Sequence, residues 1–217
     1  MDFKSLLENR YATKHYDKDA VIDADVIQKI LDCAVLTPSA VNMQPWAFYL
    51  IKGESQKAQL APAIKDFNLQ RYNDSAVAIV IAAKTALNAQ DVLAVCEQEK
   101  IDGRYENDLA FKDRYQHMLK AVDGHNAKGD MQEWCAKQSY IALGTILYAA
   151  ASYGLDCTAL EGVDQDMIDK LLDLKQDNLH AQLVVLLGKA SKQDSNALAL
   201  RPKSRFNTVR EAHFVKA

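Results

Sequence analysis

One stretch of this chain, residues 138–155, has no charged side chain, and it limits the possible folds more than any other segment. It is just long enough to span a bilayer, but polar side chains interrupt it. These are Gln138, Ser139, Thr145 and Ser152. We predict a helix that is capped by Asp130 with Glu133 at its start and by Gly154 at its end. Because such a helix is apolar on nearly every side, it must be buried all round. We therefore expect a central helix that forms a homodimer, and no membrane association.

Hydrophobic periodicity predicts further helices and a sheet beside this helix. Helical spacing occurs at residues 2–9, 24–35, 55–72, 89–101, 107–122 and 164–172. Runs of apolar, aromatic or β-branched residues predict strands at 46–51, 76–83, 156–160 and 181–187. The continuous apolar runs are typical of strands that are covered on both faces. With no internal repeat and no linker, we expect a single α+β domain over residues 1–217.

The composition excludes several classes of protein. The chain has 26 Lys and Arg against 29 Asp and Glu, and this net charge of -3 lacks the basic excess that nucleic-acid binding requires. Charged residues occupy the first positions, where a signal peptide would need an apolar core. The four cysteines are widely spaced and form no CxxC pair. We expect a cytoplasmic protein with reduced cysteines and no nucleic-acid partner.

Common motifs for phosphate loops, metal sites and covalent catalysis are missing from the sequence. The eight glycines form neither GxGxxG nor GxxxxGK[ST]. The five histidines form no HExxH motif and no evident grouping with carboxylates. Ser39 does not lie in a GxSxG motif. We therefore predict no metal and no catalytic nucleophile.

Two cationic clusters at opposite ends of the chain are the first candidate binding residues. One is RYATK at residues 10–14, and the other is PKSR at residues 202–205. Each cluster alone is explained most simply as a solvated surface, on which Arg10 and Lys14 pair with nearby carboxylates. One anionic ligand would give both clusters a reason to meet, because Lys203 and Arg205 in an extended segment point the same way.

Neutral polar groups between the clusters add further candidates. The loop TPSAVNMQPW at residues 37–46 offers the Ser39 hydroxyl and the amides of Asn42 and Gln44, which could equally bond the local backbone. NLQR at residues 68–71 lies on a predicted helix. LEG at residues 160–162 follows a short strand, and Gly162 lets a backbone approach a ligand closely. No one of these segments is specific by itself.

Taken together and in this order, the five segments resemble the nitroreductase family over essentially the whole chain. The likeness is greatest to the branch of oxygen-insensitive NAD(P)H nitroreductases and dihydropteridine reductases. The resemblance implies an α+β fold with a central, mainly antiparallel sheet flanked by helices. It implies an intertwined homodimer whose C-terminal tail extends over the partner. It also implies FMN as cofactor and NADH or NADPH as hydride donor.

The resemblance assigns a set of cofactor-binding residues. Arg10, Lys203 and Arg205 would bind the FMN phosphate. Lys14 would lie at the pyrimidine side of the flavin ring and favour its reduced, anionic form. Residues 38–44 would come from the other subunit. The complete implied set is Arg10, Tyr11, Ala12, Lys14, Pro38, Ser39, Ala40, Asn42, Gln44, Asn68, Arg71, Ala159, Leu160, Glu161, Gly162, Lys203 and Arg205.

Five of these positions depart from the pattern of the family. Tyr11, Ala12, Ala40 and Ala159 stand where related enzymes often have His, Ser, Ser and Pro. Arg71 replaces a common Lys and retains its charge. We expect FMN binding to survive these changes, because the main cationic anchors are present.

The implied activity is a ping-pong reaction, in which hydride passes from NAD(P)H through FMN to a small aromatic electron acceptor. The candidate acceptors are nitroaromatics, quinones, flavins and pteridines. Because the flavin performs the chemistry, no side chain is assigned as catalytic. The polar helix near residues 107–122 is either a lid over the acceptor pocket or an ordinary surface helix. Two alternatives stay open: an FMN enzyme of this fold with different ring chemistry, such as dehalogenation or flavin metabolism, and a non-catalytic flavin-binding or regulatory dimer.

Overall fold

The computed structural model describes residues 2–212, which form helices packed around a four-stranded sheet. The helices are α1 (Phe3–Asn9), α2 (Ala24–Val35), α3 (Gly53–Leu60), α4 (Asp66–Asp74), α5 (Ala89–Ile101), α6 (Asp108–Lys128), α7 (Met131–Ser152) and α8 (Gln165–Leu171). The strands are β1 (Trp46–Lys52), β2 (Val77–Lys84), β3 (Asp156–Leu160) and β4 (Leu179–Gly188). The predicted α+β class is confirmed.

All pairings within the sheet are antiparallel, in the order β1-β2-β4-β3. The central strands β2 and β4 are the continuous apolar runs of the sequence, and every residue of β2 before Lys84 is buried. Alternate side chains of β2 enter opposite layers. Val80 packs in the layer of α4 and α8, whereas Ile79 and Ile81 pack in the layer of α2 and α7. Since burial of one such side chain stabilises the fold by about 1.5–3 kcal/mol, both faces anchor the sheet.

Helix α7 packs against the sheet, α2, α6 and α1, but residues 2–212 leave part of its surface uncovered. Ile146 and Ala150 are buried in the layer between the helices and the sheet. On other sides of the helix Tyr140, Ile141 and Tyr148 stay exposed, and Ile141 retains 46% of its accessible surface. Complete burial of α7, as the sequence predicts, therefore requires a cover from outside the chain. Within residues 2–212, no helix combines the length and hydrophobicity needed to cross a bilayer.

The two ends of α7 differ in how well the sequence predicted them. The predicted cap at Gly154 is present: Gly154 has φ +72° and donates its N–H to the Ala151 carbonyl at 3.0 Å, while Leu155 donates to Ala150 at 2.8 Å. Asp130 is the N-cap residue, as predicted, but its side chain makes no capping hydrogen bond. Its carboxylate instead pairs with His125 Nδ1 at 2.7 Å.

The helix predicted over residues 55–72 is divided in the structure. Helix α3 ends at Leu60, a 3-10 turn follows at Ala61–Ala63, and α4 begins at Asp66. Pro62 within the turn has no backbone N–H to donate and disfavours helical geometry before it. The break matters for function because it sets the direction of α4, which carries the NLQR segment.

After β4, no helix or strand occurs in the described part of the chain, which ends at residue 212. Residues near the start of this segment are tied to the N-terminal region, since Ser191 donates its N–H to the His15 carbonyl at 2.9 Å. Farther along, Phe206 is 94% exposed. The extension of this tail over a partner stays a prediction.

All four cysteines lie in the described part of the chain and are free. Burial raises the pKa of the Cys96, Cys135 and Cys157 thiols above their usual value. These three therefore behave as packing groups, as the sequence predicts for its cysteines.

Candidate functional site

The two ends of the chain meet beside β3. Ala12 forms a parallel bridge with Cys157 of β3, and Tyr16 forms an antiparallel bridge with Ala190. The segment that follows α1 and the segment that follows β4 therefore run along the same edge of the sheet. This arrangement brings the two cationic clusters of the sequence to one place.

A buried carboxylate, that of Asp194, links the two ends. It is only 1% exposed and accepts hydrogen bonds from the backbone N–H groups of Lys14 and Asn196, both at 3.1 Å. The Asn196 amide in turn donates to the Ala12 carbonyl at 2.8 Å. Burial raises the pKa of Tyr11 to about 12, and the nearby Asp194 carboxylate contributes to this shift. Sequence reasoning missed Asp194 and Asn196, because they lie in a polar segment without periodicity that has no sign of burial.

The clusters enclose a cavity of about 310 Å³. It is lined by the predicted residues Arg10, Tyr11, Ala12, Lys203 and Arg205, and by Arg201, which was not predicted. The Lys203 ammonium donates a hydrogen bond to the Arg10 carbonyl. Burial lowers the pKa of Lys203, and the charges of Arg10 and Arg205 lower it further. Because like charges crowd this cavity, an anion bound there would relieve their repulsion.

The guanidinium of Arg10 shows the same shortage of negative charge. Among the described residues, its buried Nε atom has no hydrogen-bond partner. Leaving such a donor buried and unpaired costs roughly 1–3 kcal/mol. Phosphate oxygens are among the preferred acceptors of a guanidinium. The residues of this cavity therefore fit a phosphate group.

A second group of cations lies around Lys14. Burial lowers the pKa of the Lys14 ammonium, and Arg71 and Arg201 lower it further, although the carboxylate of Asp194 partly opposes them. The fold thus brings Lys14 of the N-terminal cluster close to Arg71 of α4, two residues that are far apart in sequence. Arg201 extends the positive field between this group and the cavity.

Asn68 and Gly162 lie in direct contact. The buried Asn68 side chain donates to the Gly162 carbonyl at 3.1 Å. A Cβ atom on Gly162 would lie 2.6 Å from Asn68 Nδ2 and 2.6 Å from Cζ of Phe67. The sequence predicted that the backbone at Gly162 lets a ligand approach closely, which stays a prediction; the neighbours that the structure places there belong to α4. The ring of Phe67, which is 73% exposed, lies at the same place.

The remaining predicted residues of this region lie at the end of β3. Ala159 is half-buried, and the Leu160 side chain is buried in the core, so Leu160 can offer only its backbone to a ligand. Glu161 is exposed and accepts a hydrogen bond from the Tyr140 hydroxyl of α7 at 2.7 Å. Burial raises the pKa of Tyr140 to about 12, and Glu161 contributes to this shift.

Within the loop at residues 38–44, some polar groups bond to each other. The Ser39 hydroxyl oxygen accepts the Gln44 N–H at 2.8 Å, and the Gln44 amide donates to the Asn42 carbonyl at 3.2 Å. Pro38 and Ala40 are exposed. Gln44 thus makes the local backbone bond that the simpler interpretation describes, and its contact with FMN stays a prediction.

Other groups of the same loop bond to distant elements. The Ala40 N–H donates to Gln138 Oε1 of α7 at 2.9 Å, and the Asn42 amide donates to Glu99 Oε1 of α5 at 2.8 Å. Within residues 2–212, no hydrogen bond or ion pair joins this loop to the cationic residues of the predicted site, which are Arg10, Lys14, Arg71, Lys203 and Arg205. One chain therefore assembles the cationic part of the predicted site but does not connect it to residues 38–44.

A potential metal-binding group also lies outside the predicted set. Ligand atoms of Asp166, Asp169 and His180 lie within 4.8 Å of one another. Both oxygens of Asp169 are already used, since Oδ1 accepts the Ala181 N–H at 2.8 Å and Oδ2 pairs with His180 Nδ1 at 2.7 Å. No sequence motif indicates this grouping, because strand β4 and helix α8 bring its members together only in the fold. The contacts describe a structural Asp–His pair.

The chain belongs to the nitroreductase family, whose family model matches residues 7–189. It is similar to the oxygen-insensitive NAD(P)H nitroreductase of Salmonella typhimurium, with 33% identity over 94% of this chain and 95% of the relative. The protein of the same name from Enterobacter cloacae is 32% identical over the same shares. A structure from Exiguobacterium sibiricum, solved in complex with FMN, has the same fold, with a TM-score of 0.76, 23% identity, and coverage of 95% of this chain and 93% of that one. The predicted family and fold are thus confirmed.

Proposed function

We propose that this protein is an FMN-dependent NAD(P)H oxidoreductase that works as a homodimer on flat, electron-poor aromatic acceptors. The relatives named above are NAD(P)H nitroreductases, and a structure of the same fold holds FMN. Nitroaromatics, quinones, flavins and pteridines have the flat shape and the electron deficiency that the proposal requires of the acceptor.

One observation carries the proposal: the cavity between the chain ends holds cations that lack a counter-charge. The buried Nε of Arg10 lacks a partner among the described residues, and crowding by like charges helps to lower the pKa of Lys203. The FMN phosphate supplies both the missing acceptor and the missing negative charge. Arg10, Lys203 and Arg205 would hold it.

The neighbouring group would orient the flavin ring. Lys14 and Arg71 would face its polar pyrimidine edge, where a fixed positive charge stabilises the negative charge that develops on reduction. Asn68 is already fixed by its bond to Gly162, which sets the position of the backbone that runs past the ring. Tyr11 and Ala12 line the cavity itself, and both would contact the bound FMN.

When bound, FMN would supply the redox chemistry, which is hydride transfer between NAD(P)H and the second substrate. The side chains bind and orient, and none is required as an acid or base in the hydride step. Protons for the acceptor come from solvent. Glu161, held by the Tyr140 hydroxyl at 2.7 Å, shapes the backbone next to the ring.

Two surfaces that residues 2–212 leave uncovered or unconnected support the proposed homodimer. Tyr140, Ile141 and Tyr148 of α7 are exposed although they are large and apolar, and a second copy would cover them. In the described residues the loop at residues 38–44 has no hydrogen bond or ion pair to the cations of the proposed FMN site in its own chain, and in a dimer it would reach the flavin of the partner. The exposed C-terminal tail would then lie over that partner.

The test is an anaerobic spectral titration of the purified protein. Flavin bands near roughly 370 and 450 nm that bleach on addition of NADH or NADPH are the expected result. Subsequent addition of menadione or a nitroaromatic compound should restore the bands. A colourless protein that takes up no FMN would refute the proposal. Bands that resist both donors would replace it with a flavin-binding protein that has no reductase activity.

A further inference from the structure

Glu99 on α5 is a buried carboxylate that the proposed electron transfer does not use. It is only 3% exposed. Its Oε1 accepts hydrogen bonds from the Asn42 amide at 2.8 Å and from Arg114 Nη2 at 3.2 Å. Its Oε2 accepts from the Tyr105 hydroxyl at 2.5 Å and from Arg114 Nε at 3.2 Å. The carboxylate and the guanidinium therefore form a bidentate ion pair, which is the strongest geometry for these groups.

The same ion pair joins three separate parts of the fold. Arg114 lies on α6, and its Nη2 also donates to the Val41 carbonyl at 2.9 Å. Glu99 holds the next residue, Asn42, by its side chain. Helix α5, helix α6 and the loop at residues 38–44 are thus bonded through two charged side chains.

The loop adopts a backbone conformation that needs such support. Val41, Asn42 and Gln44 have φ values of +47°, +61° and +48°. This left-handed region is unfavourable for residues other than glycine, and most of all for β-branched valine. Such backbone strain persists only where the surroundings enforce it. Arg114 and Glu99 hold two of the three residues directly.

We propose that Glu99 is a positioning residue for the cofactor site, which locks the loop at residues 38–44 to helix α6 through Asn42 and Arg114. The loop and helix α6 are then positioned together at the site. The loop lies toward FMN, and α6 lies over the acceptor. This inference rests on the proposed function for its consequence, but the lock itself is a property of the protein without cofactor.

The first measurement is hydrogen–deuterium exchange on the protein freed of FMN, for Glu99→Gln and for the matched control Glu97→Gln. Glu97 lies on the same helix but is exposed, so its substitution makes the same chemical change outside the network. The reporters are the amides of Asn42, Met43 and Gln44, which are hydrogen-bonded within the loop. In Glu99→Gln they should exchange about tenfold faster, since a charged hydrogen bond is lost. Glu97→Gln should match the unaltered protein.

The second measurement connects the lock to the cofactor. Glu99→Gln should raise the FMN dissociation constant and the KM for the acceptor about tenfold each, with kcat changed far less. Asn42→Ala should have a similar effect. The FMN affinity of the double variant should equal that of whichever single variant binds FMN less tightly, because both changes release the same loop.

Each outcome decides between the two ideas. Unchanged exchange at residues 42–44, with only a lower melting temperature, would overturn the positioning role and leave Glu99 as a structural residue. Additive losses of FMN affinity in the double variant would also overturn it. If the unaltered protein binds no FMN, the proposed function fails, whereas faster loop exchange in Glu99→Gln would still establish the lock.

Discussion

Charged groups are left unbalanced where the two ends of the chain meet, whereas around Glu99 they are paired. In the first region, crowding by Arg10 and Arg205 helps to lower the pKa of Lys203. In the second, burial alone would raise the pKa of Glu99, but hydrogen bonds from Arg114, Tyr105 and Asn42 lower it to about 2. A charge that the protein pairs internally serves its own architecture. A group of charges that it leaves unpaired marks the place of a ligand.

The largest effect is expected in the paired region, as a dependence of stability on pH. The pKa of Glu99 falls from its usual 4.5 to about 2 in the folded chain. The ionised group therefore stabilises the fold above pH 4.5, by about 3 kcal/mol, and this contribution is lost as the pH falls toward 2. Urea unfolding of the FMN-free protein and of Glu99→Gln should show a difference that is full at pH 7 and shrinks steadily below pH 4.5. If this difference in unfolding free energy does not change with pH, the network does not stabilise the ionised form of Glu99.

The unpaired region should respond in the opposite way, through ligand binding and not through stability. Arg205→Ala should weaken FMN binding about 30-fold, because a charged hydrogen bond contributes about 2 kcal/mol. The stability of the FMN-free protein should be unchanged or higher, since repulsion is relieved. Isothermal titration with FMN and urea unfolding check the two halves of this prediction. Arg210→Ala, which removes an exposed charge from the same tail, is the control and should alter neither. If Arg205→Ala lowers the stability of the protein and leaves its FMN affinity normal, the charge of Arg205 serves the fold and not the ligand.

A smaller effect is expected at Lys14, where an unpaired charge acts on the flavin and not on its phosphate. Lys14→Met should retain FMN but lower the two-electron reduction potential by about 30 mV, which corresponds to about 1.4 kcal/mol. Anaerobic titration against a reference dye measures the potential. Lys18→Met, which changes an exposed lysine four residues away, is the control. An unchanged potential would remove Lys14 from the edge of the flavin.

The smallest effect is expected at Gly162, where close packing and not charge is tested. Gly162→Ala should cost about 1 kcal/mol of stability, because the new Cβ would lie 2.6 Å from the buried Asn68 amide, which has to move. Gly124→Ala on α6 is the matched control: nothing lies within 4 Å of its added Cβ. This control should stabilise the protein by up to about 1 kcal/mol through helix propensity. Equal effects of the two substitutions would mean that the contact between β3 and α4 is not tight.

The sequence predicted the repeating parts of this fold well, and for a physical reason. The apolar runs of β2 and β4 and the spacing in α2 reflect burial that is uniform along an element. Local competition between signals was harder to predict. Asp130 was expected to cap α7, but the nearby His125 takes its carboxylate. The division between α3 and α4 follows from Pro62, which periodicity alone does not weigh.

The candidate site also has a part that the sequence predicted and a part that it did not. The cationic clusters of both chain ends stood out in the sequence by their charge, the family resemblance assigned them to the FMN phosphate, and the fold does bring them together. Asp194, Asn196 and Glu99 were missed, because a polar residue in a sequence gives no sign of whether it will be buried. Their importance lies in contacts between segments that are distant along the chain, such as that of Asp194 with Lys14. Which of the predicted residues contact FMN stays a prediction.

The central claim is that each FMN site combines cations of one subunit with the 38–44 loop of the other, and a mixed dimer tests it most directly. One subunit would carry Lys203→Ala and Arg205→Ala, its partner would carry Ser39→Ala and Asn42→Ala, and different affinity tags would allow the mixed dimer to be purified. The account predicts one tightly bound FMN per mixed dimer, since one site collects all the altered residues and the other is intact. Weak binding at both sites, with no tightly bound FMN in the mixed dimer, would contradict it.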